Sequence, residues 1–217
     1  SFFGSMRHFM TRFHTQSLQV AMNELSNHDH SRFLTRTNRK VGRTAYLGPE
    51  AANEGVDKAI MRLAVMIQMT WPGAPTIYYG DEAGLCGWTD PDNRRAYPWG
   101  REDQDLIDFH KEIIRIHKDY QAMTGSILFL HGQYQFISYG RFDEQDKFVV
   151  AINSGEQPVS VNLPVWRLGL TEATRMARLI NTGTDGFSLE TAMYSVENGI
   201  LHLNCPPKYG VVIKNLG

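Results

Sequence analysis

The sequence predicts two structural classes in succession: an α/β part with parallel strands covered by helices, and then an all-β antiparallel sandwich. In the first part, two long segments carry apolar residues at three- and four-residue spacing, and a short strand pattern precedes each of them. After about Thr124 the period of the apolar residues changes to two. We therefore place residues 1–124 in the α/β part and residues 125–217 in the sandwich.

The α/β part contains strand and helix patterns in alternation. A strand is predicted over 20–26, and a helical pattern then runs from Gly48-Pro49 to Trp71, since proline suits the first position of a helix. A buried strand is predicted over 75–80, and a further helix with an acidic first turn begins near residue 102. This order is typical of parallel strands covered by helices.

The second part contains closely spaced strand patterns and no long helix pattern. Seven short strands are predicted, over 126–131, 133–139, 147–153, 158–163, 175–181, 199–204 and 210–215. Turn signals such as Asn153-Ser-Gly155 separate them. Short antiparallel strands in this arrangement are typical of a β-sandwich.

Composition and charge exclude several classes of function. The formal net charge of −1 provides no basic field for nucleic acid and no cationic face for a membrane, and no apolar run approaches the roughly 20 residues that span a bilayer. Cys86 and Cys205 match no metal-ligand spacing, and we expect free, partly buried thiols, with a disulfide left open. Because Arg7, His8 and Arg12 interrupt any leader-like apolar centre, we expect a cytoplasmic protein, with secretion left open.

Polar residues follow both strand patterns of the α/β part, where a β/α barrel carries its chemistry. Asn27-His28-Asp29 ends the first strand, and Asp81-Glu82 ends the second. We interpret Asp81-Glu82 as buried hydrogen-bonding groups that fix the loops, rather than as catalytic carboxylates. Arg32 either orients Asp29 or neighbouring loops through a salt bridge or has a purely structural role.

A metal site is the alternative for the first strand end, since His28, Asp29 and His30 are consecutive. Neighbouring residues on a strand point to opposite faces, so at most the two histidines converge. We therefore predict no metal site and no cofactor.

Two segments resemble the α-amylase family of glycoside hydrolases. MNELSNHDHSRFLT, over 22–35, resembles the seventh-strand motif of that family. PGAPTIYYGDEAGLCGWTDPDNRRAYPW, over 72–99, is similar to the eighth-strand segment of the neopullulanase and cyclomaltodextrinase branch. The resemblance implies the last two βα units of a TIM (β/α)8 barrel, followed by the C-terminal antiparallel β domain.

The resemblance also implies roles for individual residues. His28 and Asp29 would contact the sugar at the cleaved bond, with Asp29 stabilising the transition state. Asp90 and Arg94 would contact a sugar further along the non-reducing side, and Trp88, in the same loop, is our candidate for stacking on a sugar ring. The nucleophilic Asp and the acid/base Glu of the family lie on its fourth and fifth strands, which this sequence lacks. Calcium is common in the family, but no ligand cluster here resembles such a site.

The resemblance implies part of a retaining hydrolase that cleaves α-1,4-glucosidic bonds in maltodextrin, cyclodextrin, pullulan or starch. Two βα units cannot close a barrel of eight, so we expect a piece of a longer protein that is inactive alone and that self-associates through its open barrel edges. A non-catalytic carbohydrate-binding or interaction fragment is the alternative function, and a metal-dependent hydrolase is the next.

Overall fold

The structure is a computed structural model that describes residues 2–216. The helices are α1 (Phe2–Met10), α2 (Thr15–Gln19), α3 (Phe33–Arg36), α4 (Thr44–Leu47), α5 (Lys58–Thr70) and α6 (Gln104–Asp119). The strands are β1 (Met22–Glu24), β2 (Ala74–Thr76), β3 (Ser126–Gln133), β4 (Phe136–Phe142), β5 (Lys147–Asn153), β6 (Val159–Leu163), β7 (Arg175–Gly183), β8 (Gly186–Ser188), β9 (Met193–Ser195), β10 (Leu201–Cys205) and β11 (Tyr209–Leu216). Short 3-10 turns lie at Glu50–Asn53, Asp92–Arg94, Gln121–Met123 and Val165–Leu168.

The two strands of the α/β part pair in parallel, as predicted. Met22 lies opposite Ala74, and Glu24 lies opposite Thr76. Both strands are shorter than expected, because only three residues of each find a partner in the ladder. The pairing places the residues that follow β1 and β2 at the same edge of the sheet.

Helix α5 begins later than we predicted. The sequence pattern started the helix at Gly48-Pro49, but the regular helix starts at Lys58. Gly55 adopts a left-handed φ of 65°, so a continuous α-helix cannot run through this position. Asp57 then caps the helix, since its carboxylate accepts a 3.1 Å hydrogen bond from the amide of Ile60.

Helix α6 matches its prediction closely. Asp103 caps it by accepting a 3.2 Å hydrogen bond from the amide of Leu106. Leu106, Phe109, Ile113 and Ile116 are all buried at three- and four-residue spacing. This stripe packs into the core that the helices share with the large sheet.

Antiparallel strands form two sheets in the second part of the chain. The large sheet has the order β3-β4-β5-β11-β7-β8, with β9 also paired to β7, and the small sheet consists of β6 and β10. All seven predicted strands are present. We missed β8 and β9, which have three residues each and are too short to show an alternating pattern.

The large sheet is the middle layer of the molecule. On one face, Phe148, Val150 and Ile180 share a core with α5 and α6. On the other face, Val149 and Val211 pack against the small sheet, which contributes Leu203 among others. The alternation along β5 therefore serves two cores, and one of these cores joins the segments on either side of residue 124.

Arg62 ties helix α5 to helix α6 and to the large sheet. Its buried guanidinium lies 2.6 Å from the carboxylate of Asp105. It also donates 2.8 Å hydrogen bonds to the hydroxyl of Thr182 and the carbonyl of Gly183. These bonds satisfy a buried cation that would otherwise be costly to remove from water.

Arg141 makes a second buried link between the helices and the sheet. It donates hydrogen bonds to the carbonyl oxygens of Thr70 at 2.6 Å, Gly125 at 3.0 Å and Ser126 at 3.2 Å. Burial lowers the pKa of Arg141 to about 10. The guanidinium thereby holds the end of α5 against the start of β3.

Both cysteines are free and buried, as predicted. Burial raises the pKa of the Cys86 thiol and raises that of Cys205 to about 11. The neutral thiols therefore behave as small apolar side chains. Within residues 2–216, no helix has the length and apolar character needed to cross a membrane.

We expect Arg62→Met to lower the free energy of unfolding by about 2–4 kcal/mol, because it removes the ion pair with Asp105 and the hydrogen bonds to Thr182 and Gly183 from a buried site. Urea denaturation would measure the loss. Arg115→Met is the matched control, since both ion pairs of Arg115 are largely exposed and should contribute less than about 1 kcal/mol. Equal losses in the two variants would contradict the linking role of Arg62.

The stability of the protein should fall as the pH falls below about 6.5, the usual pKa of histidine. Burial lowers the pKa of His110. The hydrogen bond to the Leu106 carbonyl favours the charged imidazole and opposes this shift, but its effect is smaller. Between pH 6.5 and the lower pKa of His110 in the folded protein, the unfolded chain therefore binds more protons than the folded one. Lowering the pH through this range favours unfolding. His110→Gln should show a smaller loss of unfolding free energy between about pH 7.5 and about pH 5.5. An unchanged pH dependence in this variant would refute the assignment.

Candidate functional site

The candidate site is the turn that follows strand β1. The side-chain oxygen of Asn27 accepts hydrogen bonds from the amides of Asp29 at 3.0 Å and His30 at 3.2 Å. The amide nitrogen of the same side chain donates to Glu24 at 2.7 Å. An asparagine that bonds the backbone two and three residues ahead folds the chain into a local turn.

His28 and Asp29 lie at the tip of this turn and face solvent. Their side chains are 65% and 67% exposed, and Nε2 of His28 lies 3.4 Å from the carboxylate of Asp29. The pair therefore offers a ring nitrogen and carboxylate oxygens next to each other. Both groups are open to a polar ligand.

The loop after β2 brings Asp90 and Arg94 to the same surface. Nε of Arg94 lies 2.6 Å from the carboxylate of Asp90, and both side chains are about half exposed. Nη2 of Arg94 also donates a 3.4 Å hydrogen bond to the carbonyl of His28. The structure thus brings together four of the predicted site residues.

Trp88 does not join them, and the stacking role that we predicted for it is corrected here. Its side chain is buried, with 1% of the residue exposed. Its indole nitrogen donates a 3.1 Å hydrogen bond to the carbonyl of Gly48, and its backbone amide donates to Asp92 at 2.8 Å. Both faces of the ring are covered by protein, so no face is free for a sugar.

Arg32 lies buried next to the turn and hydrogen-bonds to the segments that follow β2. Its guanidinium is fully buried and donates hydrogen bonds to the Asp81 carboxylate at 2.9 Å and to the carbonyls of Tyr79 at 2.7 Å and Asn93 at 2.9 Å. Of the two roles that we left open, the salt bridge is therefore made with Asp81 and not with Asp29. Arg32 joins the end of β2 to the loop that follows it.

Asp81 is a buried structural carboxylate, as we interpreted it. Burial raises the pKa of Asp81, while hydrogen bonds from Ser26 and Arg32 and the charge of Arg32 oppose the rise. The hydroxyl of Ser26 also accepts a 2.9 Å hydrogen bond from the amide of Phe33. These bonds connect the segment after β1 with the segment after β2.

Asn93 belongs to the site and was missed in the sequence. It is fully buried, and its side-chain amide donates to the carbonyls of Asn27 at 3.1 Å and His30 at 2.8 Å. These carbonyls stand immediately before and after His28 and Asp29. No local pattern distinguishes this asparagine from other loop residues, because its partners are more than sixty positions away.

Gly87 lets the loop after β2 pack closely against Arg32 and Thr35. Its carbonyl accepts a 3.0 Å hydrogen bond from the amide of Arg32, and its own amide donates to the hydroxyl of Thr35 at 2.9 Å. A Cβ atom at this position would lie 2.6 Å from the carbonyl oxygen of Asp92 and 2.8 Å from Cα of Asn93. Only glycine permits this approach without a shift of the backbone.

The metal site that we considered as an alternative would need a group of converging ligands. In the described part of the chain, no three His, Cys, Asp or Glu side chains are arranged to hold a metal ion. His28, Asp29 and His30, which we considered as ligands, do not form such a group.

A polar strand end beside a parallel strand, with helices packed around it, is the arrangement in which β/α folds carry their functional groups. We then compared the sequence with models of known protein families. The family described as "Alpha amylase, catalytic domain" matches residues 2–126. The chain belongs to the alpha-amylase family.

Two curated relatives illustrate the similarity. An amylopullulanase of Thermoanaerobacter thermohydrosulfuricus is 35% identical over 193 residues, which cover 82% of this chain and 12% of the relative. Neopullulanase 2 of Thermoactinomyces vulgaris is 36% identical over 156 residues, covering 69% of this chain and 24% of the relative. The chain thus spans a quarter or less of the length of these glycoside hydrolases.

A solved structure shows that the similarity extends to the fold. The debranching enzyme of Nostoc punctiforme is 26% identical to the chain, with a TM-score of 0.71, and the match covers 96% of this chain and 38% of that one. The match includes the large antiparallel sheet as well as the segment that carries the site.

We expect Gly87→Ala to lower the free energy of unfolding by about 1–3 kcal/mol, because the new methyl group collides with the backbone of the loop. Thermal or urea unfolding would measure the change. Gly183→Ala is the control, since a Cβ at Gly183 meets nothing within 4 Å. A loss in Gly87→Ala no larger than that in the control would show that the close approach imposes no constraint.

Proposed function

We propose that this chain provides the sugar-holding part of a retaining α-glucan hydrolase, with Asp29 as the group that stabilises the transition state. The substrates would be α-1,4-linked glucans such as maltodextrin, cyclodextrin, pullulan or starch. In this proposal, β1 and β2 are the seventh and eighth strands of a (β/α)8 barrel. The exposed His28–Asp29 pair, located within the segment that matches the family, carries the proposal.

Asp29 is suited to a transition state that develops positive charge. Glycoside hydrolysis passes through an oxocarbenium-like state, and hydrogen bonds to the 2-hydroxyl strengthen as that state forms. A carboxylate gains from this change only if it is already in place. The turn built by Asn27 holds the backbone of Asp29, so little reorganisation is needed.

His28 would complement Asp29 by hydrogen bonding to an adjacent hydroxyl of the same sugar. Asp90 and Arg94 would bind a neighbouring sugar, since both side chains are half exposed and lie beside the turn. The contact of Arg94 with the carbonyl of His28 supports this arrangement, because it joins the two pairs of residues.

Asp29 alone cannot perform the displacement. Retaining glycosidases need two carboxyl groups about 5–5.5 Å apart, one as nucleophile and one as acid and then base. Asp81, the carboxylate at the end of the neighbouring strand, is buried against Arg32 and is not available. We therefore propose that turnover requires the family's fourth and fifth strands, and that the 217-residue chain does not cleave glucans by itself.

Non-catalytic carbohydrate binding is the alternative function. The exposed hydrogen-bonding groups of the strand end support binding by themselves, whether or not a nucleophile is ever placed beside them. In either case we keep a cytoplasmic location, the lack of a cofactor and self-association through the β1–β2 edge as parts of the proposal. Met22, on β1, is among the exposed apolar residues at this edge.

We expect Asp29→Ala to weaken the binding of maltotriose about tenfold, because a charged hydrogen-bond acceptor is lost. Chemical-shift titration of the 217-residue chain would measure the dissociation constant. Glu172→Gln is the control, since Glu172 is an exposed carboxylate in the sandwich part and should leave binding unchanged.

Reducing-sugar release from maltodextrin and cyclodextrin should be measured on the same samples. Binding without release agrees with the proposal. Release by the purified chain would show that turnover does not need the two further strands. Equal binding by wild type and Asp29→Ala would remove Asp29 from the site.

A further inference from the structure

We infer that Asn93 is a positioning residue for the sugar-binding turn, an inference that rests on the proposed function. Its side-chain amide determines the path of the backbone on both sides of His28 and Asp29. Its place in the chain also couples that turn to the loop that carries Asp90 and Arg94. Asn93 need not touch the sugar for this role.

The two hydrogen bonds from the Asn93 side chain span the turn. Nδ2 donates to the carbonyl of Asn27 at 3.1 Å and to the carbonyl of His30 at 2.8 Å. One nitrogen atom thus holds both ends of a segment that has only His28 and Asp29 in its middle. Because Asn93 is fully buried, this nitrogen cannot exchange its partners for water without opening the loop.

The backbone at Asn93 connects the turn to Arg32 and to the Asp90–Arg94 pair. The carbonyl of Asn93 accepts a 2.9 Å hydrogen bond from Nε of Arg32, which anchors it to the buried salt bridge with Asp81. The next residue, Arg94, pairs with Asp90. A movement of Asn93 would therefore displace the Asp90–Arg94 pair and the His28–Asp29 pair relative to each other.

Without Asn93, few contacts would hold the turn in place. The side-chain oxygen of Asn27 fixes the turn from inside, through the amides of Asp29 and His30, and within residues 2–216 its side-chain nitrogen bonds only to Glu24 on the adjoining strand. The remaining bond from the loop is that of Arg94 to His28, which is long at 3.4 Å. Asn93 therefore provides the two shorter, partly buried hydrogen bonds between the turn and the loop.

Two variants test this role. Asn93→Leu keeps a similar volume and removes both donors, whereas Asn93→Ala removes the volume as well. The rates of amide exchange at Asp29 and His30 would be measured by NMR, together with the dissociation constant for maltotriose. We expect exchange about tenfold faster and binding about tenfold weaker in both variants, since each bond lost has a modest net worth.

Asn153→Leu is the matched control. Asn153 is also fully buried, and it donates to the carbonyls of Gln157, Cys205 and Pro206 within the sandwich part. Its replacement should destabilise the protein without changing amide exchange at Asp29 or maltotriose binding. If it produces the same changes as Asn93→Leu, the effect is a general loosening and the inference is wrong.

The other outcomes also decide the matter. Wild-type behaviour of Asn93→Leu, with or without an effect of Asn93→Ala, would show that the donors do not position the turn. If the wild-type chain binds no maltotriose, the proposed function fails, while the amide exchange rates still test the positioning role.

A measurement on the wild-type chain covers the case in which neither variant folds. The Nδ2 protons of Asn93 should exchange with water much more slowly than those of the exposed Asn204. Equal exchange at the two side chains would overturn the inference.

Discussion

The site depends on one buried cation, the guanidinium of Arg32. A buried charge is tolerated only when it is paired and hydrogen-bonded, and Arg32 is paired with Asp81 through Nη1, which also bonds the carbonyl of Tyr79, while Nε bonds the carbonyl of Asn93. These partners come from the end of β2 and from its following loop, whereas Arg32 itself follows β1. The requirement to satisfy the guanidinium therefore determines how the two strand ends and the loop lie relative to one another.

The exposed groups are placed by this buried support. The backbone carbonyl of Asn93 accepts a hydrogen bond from Arg32, and its side-chain amide donates to the carbonyls of Asn27 and His30. Asn93 thus connects Arg32 to the turn. His28 and Asp29 can then remain open to solvent and still be well positioned, because the rigid contacts lie beneath them. The half-exposed ion pair of Asp90 and Arg94 adds little stability.

The large sheet provides the foundation on which α5 and α6 rest. Its two faces serve two cores, and the helices beside the site pack on one of them. Arg62 and Arg141 fasten this face with buried hydrogen bonds. The antiparallel part of the chain thus packs against the helices beside the site. The sequence feature behind this packing is the continuous apolar run of β5, whose successive side chains enter the two cores in turn.

The sequence by itself determined the classes of the elements, the parallel pair of strands, the seven longer antiparallel strands and the polar strand end, because apolar periodicity and turn residues are local signals. Only the tertiary structure decided that α5 starts at Lys58, that Trp88 is buried and that Arg32 pairs with Asp81. It also revealed Asn93, whose partners lie far away in the chain. These features depend on which distant groups share a buried space, and no local pattern records that information.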